Sequence, residues 1–275
     1  MSRTWKLSFE TADSAATEQA LETFGATVWA NGVADAVTSF EVYFESCPNL
    51  DNLVLPPDAT AQLEQLPDKD WTTASQQGLS PITIPPFYLH GSHDAPRSGG
   101  WLNIEMQAGV AFGSGHHGTT QGCLVLLAHH LKRHRPRHIA DIGCGSGTLA
   151  IAAAKAKCQD ILASDIDDTA VRTTRANSRF NHVAPHITSF TAIGMAHRAY
   201  HARRFDLILA NILAAPLTGL AQDFEQHLTR HGRVIVSGLL NEQARNIIAR
   251  YRQVDLTVER KIIIGAWTSL CFKRY

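Results

Sequence analysis

The sequence predicts an α/β chain: a mostly parallel sheet with helices on both faces, an antiparallel hairpin at one edge, and a small α+β unit in front of it. Three observations carry this reading. Between residues 138 and 237, buried-looking apolar runs alternate with helical stretches, the pattern of a parallel sheet covered on both faces. After residue 254 two strand patterns follow one another with no helix between them, which implies an antiparallel edge hairpin. Charge then divides the 275 residues. Residues 1–100 carry four Lys/Arg (Arg3, Lys6, Lys69, Arg97) against thirteen Asp/Glu, a net of −9, whereas residues 101–275 carry twenty-one bases against twelve acids, a net of +9. Such asymmetry suits two units that face different partners, or an acidic unit that docks on a basic neighbour.

Taken in order, Trp5, Leu7 and Phe9 alternate with polar residues as in a half-buried strand. Residues 14–24 read as a helix with Ala15, Ala16, Ala20, Leu21 and Phe24 on one side. Short strands follow at residues 28–30 and 40–44. A second helix starts after Pro56-Pro57, where proline favours a first turn, and runs through Leu63. This β-α-β-β-α order makes residues 1–65 a small α+β sandwich of ferredoxin-like build. Residues 66–100, rich in Pro, Gly and turn residues, read as a linker with one strand at 87–90. Residues 101–275 form the larger domain, opened by a strand at 101–106. Its further strands are expected at 138–142, 161–164, 205–210 and 233–237, its helices at 123–131, 148–157, 169–180 and 217–228, and its hairpin at 254–260 and 262–272.

Apolar residues make up 44% of the chain and charged ones 18%, which excludes disorder, collagen and coiled coil. No apolar run approaches the roughly 18 residues a membrane-spanning helix needs. Met1 to Lys6 lack the apolar core of a secretory signal. Five scattered cysteines (Cys47, Cys123, Cys144, Cys158, Cys271) form no CxxC pair, so neither a disulfide framework nor a zinc ribbon is indicated. A cytoplasmic protein with no membrane partner is expected.

The most informative segment runs Asp141-Ile142-Gly143-Cys144-Gly145-Ser146-Gly147-Thr148-Leu149-Ala150, out of a strand, through three glycines and into a helix. Glycines permit positive φ and close approach of a ligand to the backbone, and the helix start beyond them offers free N–H groups. Asp165 closes the next strand, a place where an acid commonly accepts hydrogen bonds from ribose hydroxyls. Two cofactors compete for the loop. Gly145-x-Gly147-x-x-Ala150 satisfies the nicotinamide dinucleotide fingerprint. In the other frame, Asp141-x-Gly143-x-Gly145-x-Gly147 resembles the first motif of S-adenosylmethionine-dependent methyltransferases, with the acid towards the cofactor's cationic end. A carboxylate would repel a pyrophosphate, so Asp141 favours the second frame.

Two further segments decide between them. Ala111-Phe112-Gly113-Ser114-Gly115-His116-His117-Gly118-Thr119-Thr120 precedes the glycine unit, and the strand at 205–210 runs into Asn211-Ile212. Together with the glycine loop they strongly resemble the bacterial methyltransferases of large-subunit ribosomal protein eleven. Asp70-Trp71, Pro85-Pro86-Phe87 and Val236-Ser237-Gly238-Leu239 fit the same pattern, which covers residues 66–275 well and the first 65 only by size and element order. The resemblance implies a Rossmann-like class I methyltransferase fold, S-adenosylmethionine as cofactor, and methylation of lysine ε-amines, with the N-terminal amine, on a basic ribosomal protein met free before assembly. It also implies that the small N-terminal domain recognises that protein, which its acidity suits. Carried over by position, Thr120, Gly143, Asp165 and Asn211 resemble the cofactor contacts, and Phe112 and Gly113 the loop that closes over it. Asp141, Gly145 and Gly147 complete the expected cofactor-binding set.

Asn211 is the candidate catalytic residue. It falls after a strand at the carboxyl end of the sheet, where its side chain can orient an amine without acting as a base; capping the next helix is the alternative. The family pattern is not met everywhere. Ser114 replaces the more usual threonine, two extra residues separate Thr120 from the glycine loop, and no acid follows the third strand, where the sequence reads Ala192-Ile193-Gly194-Met195. Adenine recognition is therefore expected to rest on backbone and apolar contacts.

Other signals point away from further chemistry. His197 and His201 have helical ligand spacing, but Arg198, Arg203 and Arg204 crowd them and no metal is expected. The basic run Lys132-Arg133-His134-Arg135-Pro136-Arg137 follows a helix whose C-terminal dipole favours cations, so no direct nucleic-acid contact is expected. Cys144 occupies a freely varying loop position and is not a nucleophile. The alternatives are the same chemistry on another protein or a small amine, an NAD-dependent oxidoreductase, and an inactive assembly factor that keeps the fold.

Overall fold

The computed structural model describes residues 5–11, 27–34, 37–44, 61–65, 81–92, 94–106 and 118–274. The chain divides into two compact units, Met1–Ala74 and Ser75–Tyr275. The described residues of the first hold four strands, β1 (Trp5–Thr11), β2 (Thr27–Ala34), β3 (Val37–Phe44) and β4 (Gln62–Gln65), in one antiparallel sheet of order β2-β3-β1-β4. The helix expected at residues 14–24 lies outside the described residues, as does the one expected after Pro57 up to residue 60. Its expected end is a strand instead. Leu63 stands opposite the buried Leu7 in the β1–β4 register, and this cross-strand pairing overrides the local helical pattern.

The second unit begins inside the stretch read as a linker. β5 (Ile82–Ile84) and β6 (Phe87–His90) form a hairpin around Pro85-Pro86, and β7 (Leu102–Glu105) adds in parallel to β6. The strand at 87–90 is the expected one. The prolines mark a turn and not a tether, because Phe87, Leu89 and Ile104 are buried in the main core.

The large sheet has seven strands: β8 (His138–Ile142), β9 (Asp160–Asp165), β10 (Ile187–Thr191), β11 (Phe205–Asn211), β12 (Leu228–Leu240), β13 (Leu256–Ile264) and β14 (Trp267–Arg274). Their order is β10-β9-β8-β11-β12-β14-β13. The first five are parallel, and β14 runs against both of its neighbours. The hairpin turns at Gly265, whose φ of 57° suits a tight reversal, and not near residue 261 as the sequence suggested.

Among the described residues five helices cover the sheet: α1 (Gly118–Leu131), α2 (Thr148–Lys155), α3 (Asp168–Phe180), α4 (Ala214–His227) and α5 (Ala244–Arg252). Alternation along β11 shows how both faces are filled. Leu207 and Leu209 join a core with Leu124 and Leu127 of α1 and Ile151 of α2, whereas Ile208 and Ala210 join one with Leu217 and Phe224 of α4 and Ile247 and Tyr251 of α5. Such two-sided burial explains why these strands read as continuous apolar runs.

Candidate active site

β8 sits at the centre, with β9 and β10 on one side and β11 and β12 on the other. The chain therefore changes direction between β8 and β11, the switch point where open α/β sheets form a crevice at their carboxyl ends. A cavity of about 740 Å³ lies there, lined by residues that follow β8, β9, β10 and β11 and by Gly238 of β12 and Trp267 of β14.

Its floor is the glycine turn. Gly143 and Cys144 donate their N–H groups to the Ser164 carbonyl at 2.8 and 2.9 Å, which locks the turn to the end of β9. Gly143 has φ 72°, and a Cβ there would stand 2.2 Å from Ile212 Cγ2. Gly147 has φ 83° at the N-cap of α2 and backs onto Thr174 of α3. The loop is held from behind: Thr174 Oγ1 donates to the Gly145 carbonyl at 2.9 Å and Asn177 Nδ2 to that of Ser146 at 2.9 Å. The sequence reading missed these two supports. Their signal was a polar stripe on the buried face of α3, which reads as solvent-facing when no neighbour is known. Burial pushes the Cys144 thiol far above its ordinary range, which leaves it inert.

Asp141 is buried at the end of β8 and lines the cavity. Its Oδ2 accepts the Ala150 N–H of α2 at 3.0 Å, while its Oδ1 has no hydrogen-bond partner. Burial raises its pKa from 3.8 to about 7, the Ala150 N–H opposes that rise, and the Asp165 charge adds to it. A carboxylate thus already occupies the amide end of α2 where a pyrophosphate would have to bind. The same side chain keeps one oxygen for a cation or a donor.

Asp165 closes β9 with both oxygens anchored, Oδ2 by the Gly145 N–H at 2.9 Å and Oδ1 by the Asp167 N–H at 3.1 Å. Each oxygen keeps a lone pair, so the carboxylate can still accept two hydroxyls. Asn211 ends β11, and its Nδ2 donates to Thr120 Oγ1 of α1 at 3.1 Å. The structure therefore brings Thr120, Asp141, Gly143, Gly145, Asp165 and Asn211 together on one cavity, while Gly147 does not line it. Phe112 and Gly113 lie outside the described residues.

Apolar residues complete the rim. Ile166 and Ile193, 69% and 73% exposed, flank the β9–β10 end, and Leu213, 71% exposed, stands beyond Asn211. Each follows a strand end within two residues, a pattern that could have singled them out. His197 is not poised as a ligand: its ring stacks on Phe190 at 4.3 Å.

An oxidoreductase frame fails on the carboxylate at the helix start, and a sheet whose strand β14 alone is reversed differs from a fully parallel dinucleotide fold. Sheet order and site together define a class I methyltransferase. A family profile described as ribosomal protein L11 methyltransferase (PrmA) matches residues 7–275. The ribosomal protein L11 methyltransferase of Bradyrhizobium diazoefficiens is 46% identical over 217 residues, 78% of this chain and 74% of that protein. That of Rhodopseudomonas palustris is 44% identical over 244 residues, 84% of this chain and 83% of that protein. The crystal structure of ribosomal protein L11 methylase from Lactobacillus delbrueckii subsp. bulgaricus superposes with a TM-score of 0.64 at 30% identity, covering 71% of this chain and 99% of that one. The chain belongs to the ribosomal protein L11 methyltransferase family.

Proposed function

We propose that this protein transfers methyl groups from S-adenosylmethionine to lysine ε-amines, and to the N-terminal amine, of ribosomal protein L11. The observation that carries the cofactor choice is the buried, unpaired Oδ1 of Asp141 on the cavity floor. It fits the ammonium end of an amino-acid-bearing nucleoside and repels a pyrophosphate. Asp165 would hold the ribose hydroxyls, and Ile166 and Ile193 suit the faces of a flat purine. Membership of the ribosomal protein L11 methyltransferase family supports the substrate, and the protein would be cytoplasmic and act on free L11 before assembly. No helix among the described residues is long and apolar enough to cross a membrane.

When bound, S-adenosylmethionine would supply an electrophilic methyl, taken by the lone pair of a neutral amine with the C–S electron pair left on sulfur. The protein has to present that amine neutral and aligned. A free lysine is uncharged in only about one molecule in a thousand near neutral pH. With Nδ2 of Asn211 committed to Thr120, Oδ1 is the atom left to accept an amine N–H and fix the direction of its lone pair.

Calorimetry tests the cofactor. S-adenosylhomocysteine should bind the protein and NADH should not; the reverse pattern would return the oxidoreductase reading. Asp165→Ala should weaken S-adenosylhomocysteine binding by about 1.5–3 kcal/mol, the worth of hydrogen bonds to a charged group, and an unchanged affinity would place the ribose elsewhere. The acidic first unit, with ten acids between Glu10 and Glu64, is read as the surface that recruits basic L11. A chain beginning at Ser75 keeps every cavity residue, so it should bind cofactor normally and methylate L11 poorly; full activity on L11 would refute the recruiting role.

A further inference from the structure

The cavity is longer than the part of it that the cofactor contacts explain. Strand ends in a sheet are about 4.8 Å apart, so the crevice that runs from β10 to β14 crosses about 25 Å of sheet edge. Asp165 on β9, Asp141 on β8 and the glycine turn mark the cofactor half. Asn211 on β11 stands at its boundary, about 10 Å from the β9 strand end and about 10 Å from β14 on the other side. Beyond Asn211 the sheet contributes Gly238 and Trp267 to the lining, Thr119 of α1 and Ile212 line the cavity as well, and none of these four carries a charge.

Trp267 is the one aromatic residue among the described residues that line the cavity. It opens β14, is half-buried, and packs where α1 begins: a Cβ on Gly118 would meet its Cδ1 at 3.3 Å. Gly118 stands two residues before Thr120, the residue bonded to Asn211, so the indole is on the Asn211 side of the crevice. An unmethylated amine is served by the Asn211 amide. Each methyl removes an N–H donor, while the nitrogen keeps its positive charge once protonated, or permanently after the third methyl. A cation that can no longer donate hydrogen bonds is best received by an aromatic face.

We propose that Trp267 is the aromatic wall of the substrate half of this cavity, the surface that receives the methylated ε-ammonium, and so the residue that lets one lysine take more than one methyl. This rests on the lysine-methylating reading above. Between rounds the ammonium product gives one proton to solvent, which frees the lone pair for the next transfer; the fully methylated nitrogen has none to give and stops there.

The first test is binding by the full-length protein, independent of turnover. By calorimetry, Nε,Nε,Nε-trimethyl-lysine should bind about threefold to thirtyfold more tightly than its uncharged carbon isostere, the range expected for a cation over an aromatic face. Trp267→Leu, which keeps an apolar residue at the start of β14, should abolish that preference, and Trp267→Phe should retain part of it. S-adenosylhomocysteine affinity should be the same in all three proteins. A preference that survives Trp267→Leu overturns the proposal. The second readout is the product mass of L11: the unmodified enzyme should place several methyls on one lysine, and Trp267→Leu should stop at the first. Equal product distributions would also overturn it. If L11 accepts no methyl at all while the trimethyl-lysine preference still depends on Trp267, the substrate reading falls and the wall stands.

Discussion

Asp141→Asn is expected to weaken cofactor binding about a hundredfold or more while making the cofactor-free protein more stable at pH 8. If Asp141 pairs with the cofactor's ammonium as proposed, the variant would leave that charge buried against a neutral amide, a broken pair that costs about 3–5 kcal/mol. The stability gain follows from the raised pKa. In the unfolded chain this carboxyl ionises from its ordinary 3.8, whereas in the fold it stays protonated until about pH 7. The unfolded state therefore binds fewer protons between these values, and stability falls as pH rises through that window. Above pH 7 the buried charge costs up to about 4 kcal/mol, which an asparagine does not incur. Urea unfolding of both proteins at pH 4 and pH 8 reads the difference: a gain at pH 8 that vanishes near pH 4. A variant equally destabilised at both pH values would show that the carboxylate serves the fold. The same linkage makes cofactor binding release a proton near pH 6, visible as a buffer-dependent heat in calorimetry.

Asn211→Ala should lower kcat for L11 methylation by about a hundredfold, the usual cost of losing alignment of a reacting group. Affinity for S-adenosylhomocysteine should change much less, because Asp141 and Asp165 remain to hold it. Stability should also change little, since Asn211 is partly exposed and Thr120 Oγ1 lies at the cavity where water can replace the amide. A large loss of cofactor affinity with kcat intact would make Asn211 a cofactor contact alone.

Much of the larger unit was legible because its local signals agree with one another. Residues 138–165 combine a doubly buried strand, a glycine turn and an acid at the next strand end, and the structure places Asp141, Gly143, Gly145 and Asp165 on one cavity. Asn211 was visible for a similar reason, as a polar residue where an apolar strand ends. Short elements were harder. β5 and β4 have three and four residues, too few for a period to show, and β4 exists because Leu7 offers it a partner. β10 is an edge strand with a single buried residue, Ser189, so its sequence lacks the apolar run that marked the others. Thr174, Asn177 and Trp267 carry no local sequence signal because their placement depends on what the fold sets beside them: two carbonyls of the glycine turn and the start of α1.

Transfer of a methyl group from S-adenosylmethionine to L11 in this cavity is tested by the intact mass of purified ribosomal protein L11 after incubation with the full-length protein and methyl-labelled S-adenosylmethionine. Label is expected on L11 at lysine side chains, with the N-terminal amine as a further site, and the initial rate of labelling should be about a hundredfold lower with Asn211→Ala. L11 that keeps its mass while another protein or a small amine takes the label, or an enzyme that binds S-adenosylhomocysteine and labels nothing, would contradict it.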